Sequence, residues 1–143
     1  MAQAGPILVP INESEASLEA LAAAGSIAKA QKAAVVVVHV IEVVRSLPVN
    51  AEMEWEARRG EQLLRQAEEI AKSGDFSMRG ELLQSRQAGP AIVDEAHSQQ
   101  AQSIVLGLRF RRVVGDYELG HTTSYVLKHA RCPVWLMREA VRD

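Results

Sequence analysis

Five short apolar runs alternate with longer segments in which apolar residues recur every three or four positions. "PILVPI" (6–11) is too short for a helix and is bounded by prolines, which predicts a buried strand followed by a loop at 12–14. Ser14, with Ser17 three residues on, then caps an Ala-rich helix whose Leu18, Leu21 and Ala24/Gly25 share one side. Gly25 inside that helix implies close packing against a sheet. "AAVVVVHVIEV" (33–43) is β-branched at consecutive positions, the pattern of a central strand covered on both faces. After a loop at 47–50, Met53, Ala57, Leu63/Leu64, Ala67 and Ile70/Ala71 mark an amphipathic surface helix that ends near 73–74. "SMRGELLQSR" (77–86) reads as a more polar strand at or near an edge, and "GPAIVDEAHSQQ" opens a helix with Pro90 in its first turn. "SIVLGL" (103–108) is another buried strand, followed by a loop, a helix over 122–130 and a closing strand, "CPVWLMR" (132–138). The order β-α-β-α-β-α-β-α-β with short connections predicts an α/β three-layer sandwich, doubly wound around a five-stranded parallel sheet.

Length fits one ordinary domain over 1–143. Sixteen basic and eighteen acidic residues give a net charge of -2, which favours neither nucleic acid nor an anionic membrane as partner. The single Cys132 cannot form an internal disulfide and reads as a core thiol, so a cytoplasmic setting is expected. No apolar stretch approaches the roughly 20 residues that span a bilayer. Three signals carry no chemistry. "DEAH" (94–97) stands without any phosphate loop of the G-x-x-x-x-G-K-[ST] type; the four histidines lack partners at metal-ligand spacing; and no G-x-S-x-G elbow exists. His39 reads as a strand-end packing residue.

Ligands of an open parallel sheet bind beyond the carboxyl ends of its strands. Of the four loops there, the one in "GLRFRRVVGDYELGHTT" (107–123) is richest in glycine and hydroxyl groups. A helix starting at Gly120, His121, Thr122 and Thr123 offers unpaired amides and a positive dipole end to an anion, whereas Thr122 or Thr123 as a plain helix cap is the simpler reading.

The spacing around that loop, together with "ILVPINESEASLEAL", "VVVVHVIEV", "SIVLGLRF" and "LGHTTSYVLKHARCPVWLMR", resembles the universal stress protein family over nearly the whole chain. The resemblance implies an adenine nucleotide alpha hydrolase-like fold with strand order 3-2-1-4-5, and an ATP or AMP site formed by Pro10, Asn12, Val40, Gly107, Arg109, Gly120, His121, Thr122 and Thr123. It also implies a homodimer joined through the final strand, at Pro133, Val134, Trp135, Leu136 and Met137. Nucleotide-binding members carry Gly, two residues, Gly, nine residues, Gly, then Ser or Thr. Here Gly107 and Gly120 keep that separation, but Phe110 replaces the middle glycine and His121 the hydroxyl residue; Asn12 stands where the family has Asp. A benzyl group at 110 must either fill the phosphate pocket or turn the loop outward. Arg109, Arg111 and Arg112 could compensate, since guanidinium groups match phosphate geometry. Trp135 reads equally as core or as dimer contact. The expected function is a non-enzymatic binding or regulatory module with a degenerate adenine-nucleotide site. The alternatives are a weak ATPase, for which only Asp116 and Glu118 lie near the loop, and the cytosolic nucleotide-sensing domain of a membrane transporter.

Overall fold

The computed structural model describes residues 5–110 and 119–141. In chain order these form β1 (Ile7–Pro10), α1 (Glu15–Gln31), β2 (Val35–Glu42), α2 (Glu54–Gly74), β3 (Met78–Ser85), α3 (Ala88–Ser98), β4 (Ser103–Leu108), α4 (His121–His129) and β5 (Val134–Arg138). The strands are all parallel and lie in the order β3-β2-β1-β4-β5, as the family resemblance implies. Ile7 stands beside Val35 on one side and Ser103 on the other, so β1 is the centre of the sheet.

Alternation of side chains along the strands divides the core into two layers. Ile7, Val9, Val35, Val37 and Val105 pack under Ala20, Leu21, Ala24 and Ala28 of α1 and Leu63 and Ala67 of α2. Leu8, Val36, Val38, Ile104 and Leu106 face the other way, onto Ile92 and Ala96 of α3 and Val126 of α4. Val35 through Val38 are all fully buried, which is why this strand needs apolar residues at consecutive positions.

Ser14 caps α1 as expected, its hydroxyl accepting from the Ser17 N–H at 3.3 Å. Gly25 packs closely, but against a ring and not against the sheet. A Cβ there would lie 2.1 Å from the Phe76 side chain, which folds over α1 from the turn before β3. His39 does serve the strand ends: its Nδ1 lies 2.9 Å from the Ile11 carbonyl, just past β1.

The two edges of the sheet differ. On β3, Arg79 donates to Gln99 at 2.6 Å and Gln84 donates to the carbonyls of Val49 and Ala51, both at 3.0 Å, which binds the β2–α2 connection to this strand. On β5, Trp135 is 53% and Leu136 38% exposed, so Trp135 is not a core residue.

Candidate functional site

The chain leaves β1 toward β2 and later crosses to β4 on its other side, so the carboxyl ends of β1 and β4 open onto a topological switch point. The loop after β1 is ordered by its own side chains. Asn12 Oδ1 accepts from the Ser14 N–H at 2.8 Å and from its hydroxyl at 2.5 Å. The buried Ser17 hydroxyl accepts from the Asn12 N–H at 3.0 Å and lies within 3.0 Å of the Asn12 carbonyl and 2.9 Å of that of Ser14. Asn12 thus spends its oxygen on closing the turn onto Ser14, the cap of α1. Glu13 next to it pairs with Arg59 of α2.

Gly107 and Gly120 are required for different reasons. A Cβ on Gly107 would lie 2.3 Å from the Ala16 carbonyl oxygen and 2.8 Å from Ser17 Cα, so this glycine admits the first turn of α1 against β4. Gly120 has open space around its missing Cβ but adopts φ 83° and ψ 165°, a region populated almost only by glycine. It is the N-cap of α4, and among the described residues no side chain caps the helix. The simpler reading of a threonine cap is therefore incorrect: the helix begins at His121, putting Thr122 and Thr123 within the first turn, where their amides point out along the axis. Thr123 is only 9% exposed, lines the cleft described next and makes no side-chain hydrogen bond among the described residues.

Seven of the nine expected site residues come together. Asn12, Gly107, Arg109, Gly120, His121, Thr122 and Thr123 line a cleft of about 280 Å³, joined by Ser14, Leu108 and Leu119. Pro10 and Val40 do not line it; Pro10 ends β1 beside Val38, and Val40 packs into the α3–α4 core layer. His121 and Thr122 also border a second cleft of about 740 Å³, between the end of β2 and the starts of α3 and α4. Two ionic groups in its wall are already engaged. Glu42 Oε2 accepts from the Ala88 N–H at 2.9 Å, occupying the start of α3, and Arg86 donates to the carbonyls of Val44 at 2.6 Å and Leu47 at 2.7 Å.

Phe110 does not fill the phosphate pocket expected of it. It is not among the lining residues of the smaller cleft. Its ring lies under the Arg138 guanidinium, 5.0 Å from carbon to centroid, and its N–H donates to Glu139 Oε1 at 3.0 Å. Arg111, Arg112, Asp116 and Glu118 lie outside the described residues.

Residue-level reasoning missed Glu139, Glu42 and Tyr125. Glu139 carries no local signal, being 29 positions from its partner. Tyr125 likewise carries no local signal: its neighbour is Gly89 at the start of α3, where a Cβ would lie 2.8 Å from Tyr125 Cβ.

Perturbed titrations lie away from both clefts. Between β3 and α3, a hydrogen bond that Glu81 donates to Glu95 and then burial raise the Glu81 carboxyl, while a hydrogen bond from Gln99 holds Glu95 low. Burial pushes the Cys132 thiol up, and the half-buried side chain packs on the α3–α4 core layer. Among the described residues no helix is long and apolar enough to cross a membrane.

The sequence matches the model of the Universal stress protein family over residues 4–138. It is 28% identical to Universal stress protein MJ0531 of Methanocaldococcus jannaschii, covering 96% of this chain and 84% of that protein. Among solved structures, a universal stress protein from Archaeoglobus fulgidus superposes with a TM-score of 0.78 at 25% identity, over 92% of this chain and 97% of that one. A universal stress protein from the same organism, in complex with dAMP, gives 0.76 at 21% identity, over 94% and 98%. A family match that runs from the first strand through the last, on a sheet with the same strand order that the motifs imply, admits one conclusion: the chain belongs to the universal stress protein family.

Proposed function

We propose that this chain is a non-enzymatic regulatory module that binds an adenine nucleotide at the switch-point cleft. The observation that carries the proposal is the start of α4. Gly120 holds a backbone shape that only glycine takes readily, no side chain caps the helix among the described residues, and Thr123 lines the same cleft. A helix start of this kind favours an anion through both its N–H groups and its dipole. The adjoining larger cleft offers room for a nucleoside beside Tyr125 and Thr122. The dAMP complex of the Archaeoglobus relative supports the ligand class. A cytoplasmic location accords with the lone thiol.

Native protein is expected to carry AMP or ATP through purification, detectable by mass spectrometry, and to bind one of them on calorimetric titration. Failure of AMP, ATP and cyclic AMP to bind at millimolar concentration removes the proposal.

The module is further proposed to act as a homodimer through β5 and its preceding Pro133, where Trp135 and Leu136 are exposed on a strand whose outer edge is open. Val134 and Met137 of that strand turn partly inward. Trp135→Glu is expected to convert a dimer to a monomer in sedimentation velocity; a wild-type protein that sediments as a monomer at tens of micromolar sinks this assignment.

A further inference from the structure

We infer that Glu139 makes the site selective for a nucleotide with a single phosphate, by occupying the backbone amide that a longer phosphate chain would need. The inference rests on the nucleotide reading above and concerns its specificity.

Among the described residues, backbone amides could meet an oligophosphate at two places: the start of α4, and Phe110 just after β4. The Phe110 N–H is already bonded to the Glu139 carboxylate at 3.0 Å, a charge-assisted bond. Glu139 does not hang freely at the end of β5, because its own N–H donates to the Leu108 carbonyl at 2.8 Å. The pair of bonds ties residues 108 and 110 to 139, and the neighbouring Arg138 covers the Phe110 ring. A second or third phosphate reaching this point would have to displace the carboxylate from its amide and then lie beside its negative charge. Neither penalty touches a single phosphate at Gly120, Thr122 and Thr123, which lie in a cleft that excludes Phe110 and Glu139.

Glu139 is therefore a specificity-determining residue and not a ligand contact. The test is calorimetric titration of AMP, ADP and ATP, with and without magnesium, into wild type, Glu139→Ala and Glu139→Gln, with folding checked by circular dichroism. Wild type is expected to bind AMP at least about tenfold more tightly than ATP. Glu139→Ala should close most of that gap by tightening ATP while leaving AMP within about twofold. Glu139→Gln keeps the size and an accepting oxygen but not the charge, so it should close part of the gap even if the alanine variant folds poorly. Wild type that binds ATP as well as AMP overturns the inference and leaves the nucleotide reading intact, as does a gap that neither variant changes. Wild type that binds none of the three overturns both.

Discussion

Gly107→Ala is expected to lower the stability of the fold by about 3 kcal/mol, the upper range for forcing an atom into a packed interior, and the melting temperature by about 10 °C for a chain of this size. The added methyl would stand 2.3 Å from the Ala16 carbonyl oxygen and 2.6 Å from its carbon. Those are backbone atoms and no rotamer change can clear them. The first turn of α1 would have to lift from β4, and with it the Ser17 hydroxyl that holds the Asn12 turn together. Urea denaturation with a two-state fit measures the loss. A loss below about 1 kcal/mol would mean that α1 can retreat without disturbing its neighbours, contrary to the packing described. The same experiment guards against a misreading, because weakened nucleotide binding in this variant would reflect a displaced loop before it reflected a lost phosphate contact.

Gly120→Ala should behave in the opposite manner. Nothing lies within 4 Å of the position a Cβ would take, so no clash arises. The cost is conformational, about 2 kcal/mol if the φ 83°, ψ 165° geometry is kept. A local rotation out of that region relieves the strain but turns the following amides away from the cleft. The expected result is a folded protein, with modest loss in denaturation and at least a tenfold loss of AMP affinity by calorimetry. Unchanged affinity would show that the α4 start is not where the phosphate sits. Taken together, the two glycines separate stability from binding within one motif.

Much of the fold was legible because its determinants are local. Consecutive buried valines at 35–38, the Ser14 cap and Pro90 in a first turn are each written within a few residues, and each appears where the pattern implies. The relation between strands followed from the alternation of elements and from the family resemblance. What was not legible depends on partners distant in sequence. Gly25 faces Phe76 and not the sheet, because the turn before β3 swings a ring over α1. Gly107 looks like a phosphate-loop glycine from its spacing, yet its neighbours are Ala16 and Ser17 from the far end of the chain. Phe110 offered two outcomes, and the choice lay with Arg138 and Glu139. The threonines of α4 suggested caps by residue type, whereas the backbone shape of Gly120 had already set the boundary one residue earlier. Pro10 and Val40 entered only through resemblance and lie outside the cleft lining.

Unequal edges also bear on how many copies can join. A parallel sheet whose two margins were alike could add chains on both sides and grow without limit. Here one margin, β3, has its polar side chains committed to Gln99 and to the β2–α2 connection, while the other presents Trp135 and Leu136. Two copies meeting through the apolar margin consume both such margins at once and leave only the polar ones outward. In the homodimer proposed above, stoichiometry is a property of strand order: assembly through β5 alone would terminate at two.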